Sequence, residues 1–392
     1  MKPQTIMLVA GEPSGDRLAA ELVKALKAER ACAGARFFGA GGAEMSKAGV
    51  DVLVDMTQHS VIGIWEVLKR YGTFKRLFDR LLRLALERRP DVLICVDFSG
   101  FNRRFARGLR WEIEVQPGQF GGWRPRIVQF VSPQVWASRP GRARQMARDF
   151  DLLLCIFPFE KAWYAERIPE LRVEFVGHPM IDRFQAQSSK LKAHGSKFRI
   201  QNETPVVLLL PGSRVGELNR HLPVMIEAAR RILAERKAAF RMVLPEEALI
   251  AQAHEQLGEA TQIEVQIGGL PEALQQADLA IASTGTVTLE CAYFGVPTVT
   301  LYKTSWGTYQ IGKRIVKVPS LTMPNLLAGE PVFPEFIQDA ATPGNLARAA
   351  LELLNDSARR EAIRLKLGKL VTTLGEPGAC RRAAEAIASL LK

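Results

Sequence analysis

Short apolar runs alternate along this chain with longer stretches in which apolar residues recur every three or four positions. Ile6–Ala10, Val92–Val96, Ile127–Val131 and Leu152–Phe157 have strand length, whereas Arg17–Arg30 has helical period. Continuous runs separated by amphipathic helices predict parallel strands buried on both faces, an α/β fold. After Gly177-His178-Pro179 the periodicity fades into a polar, turn-rich segment read as a linker over residues 185–204. It restarts with Val206–Leu210, a helix from Glu217 to about Glu235, then Arg241–Leu244, Leu279–Ala282 and Val296–Leu301. The expectation is two Rossmann-like domains with parallel sheets facing across a cleft. They cover residues 1–184 and 205–375, and a helix over about 376–392 returns to the first. A ligand is expected in the cleft, at the carboxyl ends of the strands.

The chain has 392 residues, which suits two domains and excludes a stapled mini-protein. Its 53 Lys and Arg outnumber 41 Asp and Glu, leaving +12, so a polyanion or membrane surface joins the candidate partners. Cys32, Cys95, Cys155, Cys291 and Cys380 are scattered, mostly in apolar surroundings, as buried thiols are in a reducing compartment. The histidines form no i, i+4 pair and no Cys/His cluster, so neither metal nor cofactor is expected. Thr5–Ala10 is too short for a signal core and no eighteen apolar residues run together, which points to the cytoplasm.

Four loops carry candidate chemistry. Val206–Leu210 ends in Pro211-Gly212-Ser213-Arg214 and passes through Glu217 into a helix. Free N–H groups and a helix N-terminus there suit a phosphate, and the Arg214 fork suits a pyrophosphate. Leu279–Ala282 leads likewise into Ser283-Thr284-Gly285-Thr286, with Glu290 one helical turn beyond, placed for ribose hydroxyls. Either loop alone could be an ordinary capped turn; two in one domain favour a nucleoside diphosphate. Gly11-Glu12-Pro13-Ser14-Gly15-Asp16 closes the first strand with two carboxylates and a hydroxyl, able to orient a substrate hydroxyl or to cap a helix. Asp97 follows the buried strand Val92–Val96 and is the sharper candidate for a general base. Gly39-Ala-Gly41-Gly42-Ala-Glu44 hints at a dinucleotide fingerprint but lacks the third glycine.

Eight motifs, in order, are Val9-Ala-Gly-Glu-Pro-Ser-Gly-Asp16, Gly63-Ile-Trp-Glu66, Val131-Ser-Pro-Gln-Val-Trp136, Phe157-Pro-Phe-Glu160, Phe175-Val-Gly-His178, Leu210-Pro-Gly-Ser-Arg214, Ser283-Thr-Gly-Thr-Val-Thr-Leu-Glu290 and Pro324-Asn325. Over nearly its whole length the chain resembles the lipid-A-disaccharide synthase family, GT-B glycosyltransferases of family 19. The resemblance implies an inverting enzyme joining UDP-2,3-diacylglucosamine to 2,3-diacylglucosamine 1-phosphate, giving a β-1,6 disaccharide and UDP for lipid A. It implies Asp97 as base, with Glu12 and Asp16 in the catalytic set. Gly212, Ser213, Arg214, Glu217, Ser283, Thr284, Gly285, Thr286 and Glu290 would hold the UDP. Ser14, Glu66, Asn102, Ser132, Trp136, His178 and Asn325 fall to the acceptor or the interdomain region. A homodimer and no metal are the family expectation.

The sequence also departs from the family. Its Asp-x-Pro-Asp-Phe-Asn is here Asp97-Phe98-Ser99-Gly100-Phe101-Asn102, so the second acid is Gly100. Ile62 replaces a Met, Ser138 a Trp, and the stretch between Arg103 and Ile127 is longer than expected. From Trp65 to Arg89 apolar residues recur at helical spacing among Lys and Arg. With acylated substrates implied, Trp65, Leu68, Tyr71 and Phe74 become candidate contacts to an anionic inner-membrane surface on the cytoplasmic side. The basic surface, with ten arginines between Arg103 and Arg148, is assigned to lipid and substrate phosphate rather than to nucleic acid. The alternatives are another UDP-N-acetylglucosamine transferase or 2-epimerase of this fold, and a silent UDP-sugar or lipid-binding homologue. A nicotinamide oxidoreductase would depend on the defective Gly39 loop.

Overall fold

The computed structural model describes residues 3–56, 71–116, 118–193, 204–258 and 262–391. The chain divides into two compact units, residues 1–183 with 374–392, and residues 184–373. The first is built on β1 (Thr5–Ala10), β2 (Arg36–Gly41), β3 (Asp51–Asp55), β4 (Val92–Val96), β5 (Arg126–Phe130), β6 (Leu152–Cys155) and β7 (Arg172–Phe175). These form one parallel sheet in the order β3-β2-β1-β4-β5-β6-β7. Its helices are α1 (Pro13–Ala28), α2 (Ala43–Lys47), α3 (Tyr71–Arg88), α4 (Ser99–Val115), α5 (Val135–Ser138), α6 (Ala143–Asp149) and α7 (Pro158–Ala165). The strands that read as unbroken apolar runs are the central ones: β4 is buried along its full length and β1 from Ile6 onward.

The second unit holds β8 (Val206–Leu210), β9 (Ala239–Leu244), β10 (Ile263–Ile267), β11 (Leu279–Ser283), β12 (Thr298–Tyr302) and β13 (Glu335–Ile337), parallel in the order β10-β9-β8-β11-β12-β13. α8 (Pro179–Ala193) contains the boundary between the units. Then follow α9 (Val215–Glu235), α10 (Ile250–Leu257), α11 (Leu270–Gln276), α12 (Thr286–Tyr293), α13 (Trp306–Ile315), α14 (Met323–Ala328), α15 (Pro343–Asn355) and α16 (Ser357–Thr373). Leu209, Ile281, Leu222, Met225 and Leu346 lie in its core. α17 (Ala379–Ala388) belongs to the first unit and packs on α1. Asp182 accepts from the backbone N–H of Gly378 and, at 3.0 Å, of Ala379. Arg382 Nε donates to the Val176 carbonyl at 2.8 Å.

Residues 185–193, read as the start of a linker, continue α8. The stretch Gln185–Ala193 contains neither Gly nor Pro, so nothing in it breaks the helix. Residues 194–203 lie outside the described residues. The added length before β5 folds back: Trp123 Nε1 donates to the Pro90 carbonyl at 3.0 Å, and Phe120 is buried under Arg89. Among the described residues no helix is long and apolar enough to cross a membrane.

Candidate active site

In an open parallel sheet the crevice for a ligand opens where the strand order reverses, because adjacent connections leave to opposite faces. In the first unit that point lies between β1 and β4, and in the second between β8 and β11. The four candidate loops follow these four strands.

Beyond β4, Asp97 and Phe98 both take left-handed backbone conformations, with φ of 48° and 42°. Such a conformation in a bulky residue persists only where its surroundings fix it. Gly11 makes room, since a Cβ there would lie 2.2 Å from the Phe98 ring. Two buried carboxamides grip the Asp97 carbonyl, Asn102 Nδ2 at 2.9 Å and Gln129 Nε2 at 3.1 Å. The Asp97 N–H donates to the Phe130 carbonyl at 2.8 Å. Burial raises the Asp97 carboxyl above its ordinary range, opposed by a hydrogen bond from the Phe98 N–H. A more basic carboxylate at a crevice is what a general base requires. Phe98 and Phe101 stack beside it with centroids 5.6 Å apart.

The other acids of the β1 loop differ. Asp16 is buried, and its carboxylate accepts from three backbone N–H groups across the β2–α2 turn: Gly42 at 2.7 Å, Glu44 at 2.9 Å and Met45 at 3.2 Å. It caps α2 from a distance instead of the helix it sits in. Its carboxylate also fills the anion position of the Gly39–Glu44 loop, which removes the physical basis for reading a dinucleotide there. Glu12 is the N-cap residue of α1, and Ser14 lies exposed in that helix's first turn. A Cβ on Gly15 would come 3.9 Å from the Asp97 Cβ, so this turn borders Asp97 directly.

Beyond β5 to β7, Ser132 and Trp136 gather around an acid, Glu160, and the His178 ring lies 5.5 Å from that of Phe157. Glu160 is fully buried and accepts from Ser132 Oγ at 2.6 Å, Trp136 Nε1 at 3.0 Å, and the N–H groups of Phe157 and Ile156 at 3.0 and 3.2 Å. Burial pushes its carboxyl upward, against those four donors. The polar atoms of Ser132 and Trp136 are thereby committed to the fold. His178 accepts from the Met180 N–H at Nδ1, 3.2 Å, which leaves its proton on Nε2. Burial, then the charge of Arg183, lower it to about 4.

In the second unit Gly212 (φ 125°) allows the Glu217 side chain to lie over the loop, where a Cβ would meet Glu217 Oε2 at 2.5 Å. Glu217 accepts from the Ser213 N–H at 3.1 Å and stands 4.0 Å from Arg214 Nη1, so it shapes the loop and presents the exposed Arg214. Across β11, Ser283 is buried, while Thr284 is half-buried and Gly285 and Thr286 are exposed at the start of α12. No side chain caps that helix, so its first N–H groups remain available to an anion. Glu290 is half-buried one turn further along α12. His221, which the sequence reading missed, ties the first loop to the chain leaving β12. Its Nε2 accepts from the Lys303 N–H at 3.0 Å, so Nδ1 carries the proton to the Pro211 carbonyl at 2.9 Å.

Asn325 is buried and its carboxamide is engaged within the second unit, donating to Phe333 O and Glu335 Oε1, both at 2.8 Å, and accepting from the Phe333 N–H at 2.8 Å. Glu66, Trp65 and Leu68 lie outside the described residues. Tyr71 opens α3, Phe74 is half-buried, and from Phe78 onward the helix packs inward on Phe101 and Phe105.

Comparison with known proteins matches residues 6–390 to the family described as lipid-A-disaccharide synthetase. A lipid-A-disaccharide synthase of Myxococcus xanthus is 38% identical over 394 residues, covering 99% of this chain and 98% of that one. One from Solibacter usitatus is 38% identical over 391 residues, covering 99% and 97%. Among solved structures, a putative UDP-N-acetylglucosamine 2-epimerase of Listeria monocytogenes superposes with a TM-score of 0.65 at 16% identity, covering 100% of this chain and 97% of that one. The glycotransferase of kitacinnamycin gives 0.64 at 18%, covering both chains fully. These two likenesses speak to the GT-B fold alone.

Proposed function

The chain belongs to the lipid-A-disaccharide synthetase family, and from that premise we propose that it joins UDP-2,3-diacylglucosamine to 2,3-diacylglucosamine 1-phosphate with inversion, using Asp97 as base. It is a glycosyltransferase of lipid A biosynthesis. The observation that carries the assignment of roles is the placing of one candidate loop on each side of both switch points.

In the second unit, Arg214 and the uncapped start of α12, with Ser283, Thr284, Gly285 and Thr286, hold the diphosphate, and Glu290 takes the ribose. Gly212, Ser213 and Glu217 give the first loop its shape. In the first unit Asp97 receives the proton of the acceptor 6-hydroxyl. The hydroxyl oxygen bonds to the donor's anomeric carbon from the face opposite the phosphate. The bond from that carbon to the phosphate oxygen breaks, and its electron pair leaves with UDP, stabilised by Arg214 and the helix end. Glu12 and Ser14 border the acceptor, Asn102 fixes the Asp97 turn, and Asp16 supports the neighbouring loop. Ser132 and Trp136 around Glu160, with His178 beside Phe157, shape the acceptor side, while Asn325 braces the donor unit. Stacked Phe98 and Phe101 offer apolar surface to an acyl chain. The start of α3, with Tyr71 and Phe74 preceded by Trp65, Leu68 and Glu66, rests on an anionic membrane surface, and the chain works as a homodimer at the cytoplasmic face of the inner membrane.

The test is UDP release by the purified full chain with diacylated donor, with and without acceptor. Release only with acceptor is expected, and Asp97→Asn should lower turnover about 10²–10⁴-fold. Because burial raises the Asp97 carboxyl, kcat/KM should fall with acid at a midpoint above the roughly 3.9 of an ordinary aspartate. Full turnover by the variant removes Asp97 as base. Turnover of soluble UDP-N-acetylglucosamine alone would favour the epimerase reading.

A further inference from the structure

One side of the first unit collects arginines without collecting acids. α4 carries Arg103, Arg104 and Arg107 within its first nine residues, and the 3₁₀ turn Pro140–Arg142, with the residue before it, contributes Arg139 and Arg142. Arg103 and Arg107 share a helix face at i, i+4, and α4 packs against α6, which ends in Asp149. Asp149 is 5% exposed, its Oδ2 lies 3.8 Å from Arg107 Nε, and that oxygen accepts no hydrogen bond. Among the described residues Arg103, Arg104, Arg139 and Arg142 have no ion pair with an acid. Of the five, Arg107 and Arg103 feel the Asp149 carboxylate, which also faces Arg110 and Arg148, while the charges that act on Arg142 are all arginines.

Such an arrangement works against itself unless an anion is added. Burial first, then the charges of Arg142, Arg107 and Arg104, push the Arg103 guanidinium below its ordinary range. Arg142 is pushed the same way by burial and by Arg139, Arg104 and Arg107. Asp149 answers only in part, since burial raises its carboxyl despite the arginines around it.

We propose that Arg103, Arg104, Arg107, Arg139 and Arg142 form a binding site for a phosphate monoester, and that its ligand is the 1-phosphate of the acylated sugar acceptor. A dianion with three equivalent oxygens matches several planar forks converging from two elements, which a single carboxylate does not. Position selects the sugar phosphate. Arg103 follows Asn102, whose carboxamide holds the Asp97 carbonyl, and lies four helical residues beyond Ser99, about 6 Å along the axis. An arginine about one helical turn from the Asp97 loop suits a phosphate carried on the same sugar as the hydroxyl that Asp97 deprotonates. The choice of ligand rests on the function proposed above; the site itself rests on the unpaired arginines.

The experiment compares wild type, Arg103→Gln/Arg142→Gln, and Lys24→Gln/Arg30→Gln, which removes two charges from exposed positions elsewhere on the unit. KM is measured for the acceptor with and without its 1-phosphate, donor saturating. The arginine variant should raise KM for the phosphorylated acceptor about 10–100-fold, become indifferent to the phosphate, and keep the donor KM and the control's thermal midpoint. An unchanged preference for the phosphate overturns the proposal. So does weaker binding to phosphatidylglycerol vesicles with acceptor KM unchanged, which would assign the cluster to lipid headgroups. If wild type releases no UDP from the acylated pair, the function fails on its own, and the site is read by calorimetry with glucosamine 1-phosphate and inorganic phosphate. Saturable binding of either, lost in the arginine variant, then supports the site, and no binding by wild type overturns it.

Discussion

Replacing Asp16 separates an acid that shapes a loop from one that touches substrate. Its carboxylate answers three backbone donors, two in buried bonds to Gly42 and Met45 and one part-buried to Glu44. Asp16→Ala leaves all three unpaired. With each buried donor costing about 1–3 kcal/mol and water reaching Glu44, the first unit should lose roughly 3–5 kcal/mol. Asp16→Asn keeps one oxygen for Gly42 and Met45 but turns an amide toward the Glu44 N–H, a loss of roughly 1–2 kcal/mol. Urea unfolding gives the midpoints, and hydrogen exchange of the peptide covering residues 41–47 should quicken in both variants. Turnover of folded Asp16→Asn should stay within a few-fold of wild type. A variant as stable and as slow to exchange as wild type, yet impaired a hundredfold or more, would refute this reasoning and place the carboxylate on the substrate.

His221→Ala strands the Lys303 N–H and the Pro211 carbonyl, so the second unit should lose about 2–4 kcal/mol and UDP inhibition should weaken, read by denaturation and by Ki. His178 is held neutral to about 4 when folded but takes its proton near 6.5 when unfolded. The unfolded chain therefore binds the extra proton in that window, and stability falls as pH drops from about 6.5 to 4. His178→Gln should flatten the stability profile across that interval, measured by denaturant midpoints at each pH.

The strands easiest to read were those whose burial leaves no alternation. Leu93-Ile94-Cys95-Val96 and Leu279-Ala-Ile-Ala are central and covered on both faces. β3, β10 and β13 escaped because they lie at sheet edges, where the pattern is mixed and short. The loops after β8 and β11 were legible as candidates because glycine and hydroxyl residues stand together there between a buried strand and a helix. Their supports were not. His221 lies mid-helix and contacts residues 10 and 82 positions away; Gln129 reads as one polar residue in an apolar strand. Glu160 shows the same limit from the other side, since its local box with Phe157 is visible in Phe-Pro-Phe-Glu while its bonds to Ser132 and Trp136 are not. Asp16 misled because an acid in the first turn of a helix suggests that helix, whereas the fold brings the β2–α2 turn to it.

The docking of residues 374–391 onto the first unit sets an order on synthesis. About 190 residues, 184 to 373, are made between the first unit's leading part and the segment that completes it. At roughly 5–20 residues per second the ribosome needs about 10–40 s for that stretch. Throughout it the flank of α1 destined for α17 is bare, and Asp182 waits for the N–H groups of Gly378 and Ala379. The second unit, contiguous in the chain, has all its residues before the first does. The domain that begins first is therefore finished last, and a nascent chain halted before Leu374 is a natural client for a chaperone.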